Sequence, residues 1–359
     1  MSLLMKYNSK HKYHQDIIRM IAIWLVMWNH TDAFHAYQTH SDNIVRYIYM
    51  VFSILCKSAV PLFFMMAGAN LLGKQETIQH IYRKRISKFV YILILASLFY
   101  STYYYFDRGR TFTLIDVLKN AYTGNVWVAN WYLYAYICLL MMLPLFRPMV
   151  QNMKINDFWY ALVVSVIATG VMPVVNYINI DNGFWLTGHM NLFLFTTWNS
   201  IFFIIGYFFD ERLEKDFFNK KIGLLLILLS IVSVIISCIM IDYQSTLDMD
   251  YFDEEFLRAF IAIPTVTLYY WAKMIFDRKT FNNVCGIVLE ELGGAVLGVY
   301  VLEQFLREKT EIIYESLSGR IGRLLASILW ISAAWFIGVT VVVLIRQSRI
   351  LRKLFLDKK

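Results

Sequence analysis

The sequence predicts an all-α, polytopic transmembrane helical bundle of about ten spans, and three observations carry that prediction. The chain is 58% hydrophobic and only 17% charged, where an ordinary soluble domain is about half apolar and a quarter charged. Its apolar residues lie in blocks long enough to cross a bilayer core, which takes roughly 20 helical residues. Its basic residues fall in alternate loops, the pattern that membrane orientation imposes. The net charge of +8 is therefore read as topology, and nucleic acid is not an expected partner.

Ten blocks are read as spans, at about 17–37, 44–65, 88–106, 126–146, 158–178, 191–209, 222–241, 256–276, 285–305 and 324–345. The first lacks a small-residue cleavage site and carries Arg19, so it is expected to stay as a span rather than leave as a signal peptide. The second contains Lys57 inside its apolar stretch. Pro61, further along, interrupts helix hydrogen bonding and is expected to open space there. The third begins at the basic cluster Arg83, Lys84, Arg85, Lys88. The fourth opens with WYLYAY (131–136), read as interface aromatics and packing. The seventh and tenth are uncharged. The ninth is the weakest, its clean apolar core being only LGGAVLGVYVL, with Glu290 and Glu291 before it and Glu303 just after.

Loop charge orients these spans. With the N-terminus inside, Lys and Arg number 24 over regions 1–19, 74–88, 147–154, 212–221, 273–279 and 346–359, against nine in the regions outside. That bias predicts both termini in the cytoplasm. No linker, repeat or low-complexity tract divides the chain, so 1–359 is expected to form a single membrane domain. Its short basic tail, about 346–359, would rest on the inner membrane surface. Cys56, Cys138, Cys238 and Cys285 show no metal or disulfide spacing, and no metal site is expected.

The candidate chemistry starts with Arg19 and His30. Eleven helical residues turn through about 1100°, close to whole turns, so the two side chains share one face about 16 Å apart along the axis. Ionisable groups within a span are costly and tend to mark function. His30 reads as a general base or as a histidine bonded to a neighbouring helix. Arg19 reads as a phosphate-holding group or as a snorkelling positive-inside arginine. The basic cluster before span three carries the same two readings. Lys57, Asp32 and Glu303 are candidates for a polar cavity. His35 and His40 lack the spacing of a helical metal pair, and His11 and His14 read as solvated.

These segments resemble the integral membrane acyltransferase-3 family, bacterial ten-span acyltransferases of surface glycans. The likeness rests on DIIRMIAIWLVMWNH (16–30), with Arg, ten residues, then His. It continues through VPLFFMMAGANLL (60–72), RKRISKFVYIL (83–93), WYLYAYICLLMMLPLF (131–146) and LGVYVLE (297–303). Asn130 and Glu303 stand where many relatives have histidine. The resemblance implies acyl-CoA as donor substrate, chiefly acetyl-CoA, with no permanently bound cofactor. It implies a hydroxyl acceptor on an extracytoplasmic polysaccharide or lipid-linked glycan, reached directly or through a separate extracytoplasmic acceptor protein. It also implies a bacterial plasma membrane location, His30 as the activating base, and Arg19, Arg85 and Lys88 as donor-binding groups. A transporter or flippase of a glycan precursor uses similar intramembrane charges and is the alternative reading. A membrane sensor or scaffold without catalysis is a third.

Overall fold

A computed structural model describes residues 11–31, 43–124, 130–178, 198–245, 255–277, 281 and 283–347. Among these residues the regular structure is helical and contains no strand. The helices are α1 (Tyr13–Asn29), α2 (Asn43–Cys56), α3 (Ala59–Leu71), α4 (Ile78–His80), α5 (Ser87–Arg108), α6 (Leu114–Thr123) and α7 (Trp131–Asn152). They continue as α8 (Ile155–Val166), α9 (Met172–Ile178), α10 (Trp198–Tyr207), α11 (Lys220–Ser245), α12 (Glu255–Phe276), α13 (Asn283–Ile321) and α14 (Arg323–Gln347). Eight stretches are long and apolar enough to cross a membrane: Ile44–Leu71, Ile78–Arg108, Trp131–Asn152, Ile155–Ile178, Lys220–Tyr243, Ala259–Phe276, Val284–Ile321 and Arg323–Gln347. The other two expected spans, the first and sixth, fall on α1 and α10, whose described lengths are 17 and 10 residues.

Several local features follow from single residues. The break between α2 and α3 falls at Lys57 and Ser58, four residues before Pro61. A proline ring crowds the carbonyl at that distance and supplies no N–H to bond it. α4 runs into α5 through a π-helical stretch, Ile81–Ile86, which admits an extra residue per turn. Arg83 and Lys84 there face outwards, while Arg85 is half-buried. α6 opens on a capping box between Thr113 and Asp116, which satisfies the backbone N–H groups of both residues.

The span expected to be weakest is instead the longest helix. α13 runs 39 residues, about 58 Å at 1.5 Å per residue, well beyond a core of roughly 30 Å. Glu303 therefore lies within it rather than after it. The helix tolerates its acids because they face protein: Glu303 is fully buried, and Glu291 pairs with Arg346 of α14 at 3.2 Å.

Small and hydroxyl-bearing residues let the helices approach. At the α3–α10 crossing, a Cβ on Gly68 would lie 1.6 Å from the Phe203 carbonyl oxygen, and one on Gly206 would lie 1.8 Å from that of Met65. Glycine on both faces is the condition for that contact, as in close-packed membrane helices. α11 presents Leu224, Leu228, Ile231, Ile235 and Ile239 outwards, a surface suited to lipid. Its inner side meets α12 through Ser230 with Thr267 at 2.8 Å and Ser233 donating to the Phe260 carbonyl.

Polar contacts gather at two opposite ends of the bundle. One end holds Glu76 with Arg147, Lys12 with Asp210, and Arg346 with Glu291. The other holds Arg46 with Asp242, Lys309 with Asp107, and Arg307 with the His30 carbonyl. α1 joins the two sets, with Lys12 at its start and His30 at its end, and α13 reaches both through Glu291 and Arg307.

Candidate functional site

α1 carries the two stations of the site. At its first turns, Arg19 donates from Nη1 to Asp16 Oδ1 at 2.6 Å and from Nη2 to Gln15 Oε1 at 3.4 Å. Asp16 is buried and also bonded by His11. It sits directly over Gly293 of α13, where a Cβ would come within 2.3 Å of its Oδ1. The glycine is thus what allows α13 to seat the carboxylate that aims Arg19. Gln15 Oε1 also accepts from Asn70 Nδ2 at 2.6 Å, which ties α1 to α3.

A cavity of about 280 Å³ opens beside this arginine. Arg19, Asn70, Lys74 and Arg85 give it cationic and amide groups, while Phe63, Phe89, Tyr132, Tyr136, Leu297 and Tyr300 supply apolar and aromatic wall. From Lys74, just past α3, to Phe63 within it, from Gly293 to Tyr300 on α13 and from Tyr136 to Tyr132 on α7, the lining leads from the Arg19 end towards the His30 end. The combination suits a ligand with an anionic head and a slender, less polar arm.

Arg85 is held by Glu76, which takes its Nε at 2.9 Å and its Nη2 at 2.5 Å. The same carboxylate accepts from Arg147 Nη2 at 2.8 Å, and Arg147 Nε donates to the Leu71 carbonyl at 3.0 Å. The Arg85 hydrogen bonds lead in lowering the Glu76 pKa to about 2, with Arg147 adding to them against partial desolvation. Lys88 is exposed and does not line the cavity. Lys74 and Asn70, which sequence reasoning did not single out, do.

His30 follows the last residue of α1. Its Nδ1 stands 3.3 Å from Glu303 Oε1, at an angle that makes neither atom a formal hydrogen-bond partner. Glu303 is inaccessible, and its Oε2 accepts from Arg307 Nε at 2.8 Å. Arg307 reaches back through Nη1 to the His30 carbonyl at 2.6 Å. His30, Glu303 and Arg307 therefore form a closed triangle, in which the guanidinium meets the His30 backbone carbonyl rather than its ring. The pairing of Glu303 with Arg307 is i to i+4 on one helix, a spacing visible in the sequence.

Lys57 sits half-buried in the break between α2 and α3 and lines no part of the cavity. Asp32 lies outside the described residues. Asn130 donates to the Gly124 carbonyl at 2.5 Å and ties the end of α6 to the start of α7.

One expected solvated residue is buried. His14 is inaccessible, with Nε2 3.3 Å from Asp210 and Nδ1 3.4 Å from Asp277. Asp210, equally buried, is also met by Lys12 at 3.1 Å, Lys273 at 3.3 Å, Gln15 at 2.8 Å and Tyr269 at 3.0 Å. Five groups surround one carboxylate, which explains why a histidine in a basic stretch turns inward. The nearby His14 imidazole, with Lys273, holds the Asp277 pKa below its ordinary value.

Comparison with curated proteins and with solved structures found no match. The family model described as an acyltransferase domain matches residues 14–347, a range that spans Arg19, the cavity, His30 and Glu303. The chain belongs to the acyltransferase-3 family and is a membrane acyltransferase.

Proposed function

We propose that this acyltransferase moves an acyl group, in the first instance acetyl, from cytoplasmic acyl-CoA to a hydroxyl of an extracytoplasmic polysaccharide or lipid-linked glycan. The observation that carries the reading is the sharing of α1 between an anion-suited cavity at Arg19 and an imidazole backed by a carboxylate at His30. The loop-charge bias supports cytoplasmic termini and ten spans. The gathering of polar contacts at two opposite ends of the bundle is in keeping with that topology. A bacterial plasma membrane is the matching location.

In this reading Arg19, Lys74 and Arg85 hold the donor's phosphates by charge-assisted bonds. The acceptor oxygen bonds to the thioester carbonyl carbon, the carbon–sulfur bond breaks, and the hydroxyl proton passes through His30 to the departing thiolate. The products are an O-acyl ester and free CoA thiol. Nothing else is consumed.

The test is purified protein in liposomes, supplied with acetyl-CoA and a glycan acceptor, with thiol release and ester formation measured together. His30→Ala is expected to abolish both while the protein remains folded and inserted. Full acyl transfer by that variant would overturn the assignment of His30. Glycan translocation without thiol release would favour a transporter.

A further inference from the structure

We infer that Glu303, held in place by Arg307, is the positioning residue that orients the His30 imidazole, leaving Nε2 as the nitrogen that takes the acceptor's proton. The inference rests on the proposed role of His30 as base and adds to it a named partner and a named ring nitrogen.

Three observations converge. His30 Nδ1, not Nε2, is the ring atom that faces Glu303, at 3.3 Å. Both facing atoms are buried, and neither has a satisfied hydrogen bond among the described residues. Such groups are costly to leave unpaired. A modest ring or carboxylate rotation closes that gap into an Nδ1–H to carboxylate bond, the arrangement that fixes a catalytic imidazole's tautomer elsewhere. Third, the carboxylate cannot drift. Arg307 clamps its other oxygen at 2.8 Å and the His30 backbone carbonyl at 2.6 Å, so the acid is tied to the very residue it faces.

The bland alternative is a buried ion pair whose role ends with stability. Against it, Arg307 spends one donor on the His30 carbonyl, and α13 carries Tyr300, a wall of the donor cavity, one turn before Glu303. A pair serving stability alone has no need to meet α1 at its one histidine of this end.

Two variants and two readouts test the inference. Glu303→Gln keeps shape and removes charge; Glu303→Asp keeps charge for Arg307 and withdraws the carboxylate by one methylene. Each is compared with wild type for kcat and KM of acetyl transfer, and, with ¹⁵N-histidine labelling, for the His30 tautomer from its ring nitrogen shifts. The wild type is expected to carry its proton on Nδ1. Glu303→Gln is expected to lower kcat by about 10²-fold or more, leave the acetyl-CoA KM within twofold, and populate the Nε2–H tautomer. Glu303→Asp is expected to fall between the two, and carries the test if the glutamine variant does not fold. An unchanged tautomer in a folded variant, or an unchanged kcat, overturns the inference while His30→Ala still reports separately on the base. Activity surviving in His30→Ala would overturn both.

Discussion

Gln15 donates from Nε2 to the buried Asp210 carboxylate at 2.8 Å, and the oxygen of the same amide receives Asn70 and Arg19. A single side chain thus connects a carboxylate met by five groups to the arginine that lines the cavity. Disturbing either partner reaches beyond its own neighbourhood.

Asp210→Asn removes the charge that Lys12, His14 and Lys273 share. Breaking a buried ion pair by removing one member costs about 3 kcal/mol or more, and the detergent-solubilised protein should lose stability on that scale. Gln15→Leu should cost about 1–2 kcal/mol and weaken acyl-CoA binding, read by titration. Wild-type binding in a folded Gln15→Leu protein would show that Arg19 does not depend on it.

Arg19→Lys keeps the charge and loses the planar fork that meets Asp16 and Gln15 together. We expect the acyl-CoA KM to rise about tenfold with a smaller effect on kcat, because bidentate arginine sites do not accept lysine as an equivalent. An unaltered KM in steady-state assays would confine Arg19 to packing.

Glu76 gives a pH dependence whose sign is fixed. Its folded-state pKa of about 2 lies below its ordinary 4.5. Its contribution to stability is therefore full above about 4.5 and disappears as pH falls towards about 2. Thermal unfolding in detergent should fall over that window, and Glu76→Gln should flatten the Glu76 part of the fall. At neutral pH the same substitution strands the buried Arg147 and should lower the melting temperature. A Glu76→Gln protein with the wild-type acid profile would count against this account.

Gly206→Ala puts a methyl group where the Met65 carbonyl oxygen already lies, at 1.8 Å. Backbone cannot yield as a side-chain tip does, so α3 and α10 must separate. Loss of folded protein on size-exclusion chromatography is expected for this alanine, whereas alanine at the open Gly319 should be silent.

Much of the membrane architecture was legible because hydropathy, span length and loop charge act locally along the chain. Eight of the expected spans have helical counterparts apolar enough to cross. The full length of α13 is not legible in that way, because Glu291 and Glu303 meet Arg346 and His30, partners that only the packing of the helices brings to them. The shared face of Arg19 and His30 follows from helical periodicity alone. The convergence of Arg85, Lys74 and Asn70 on Arg19 does not, since it needs the packing of α1, α3 and α5. His14 misled for the same reason: its partners Asp210 and Asp277 lie nearly 200 residues or more away in the chain. Arg307 was the one missed group with a local signal, being four residues after Glu303.

Arg19 lies on α1 and His30 caps its end, while α13 bears Gly293, Tyr300 and Glu303, and each helix runs unbroken between the two stations. The separation of the stations is thereby gauged twice, by two parallel rails of fixed pitch. Neither station can slide along the helix axes without dragging the other, so under the proposed function donor and acceptor meet at a spacing that the protein does not adjust. Under that function, a change of acceptor leaves the distance between the ends untouched.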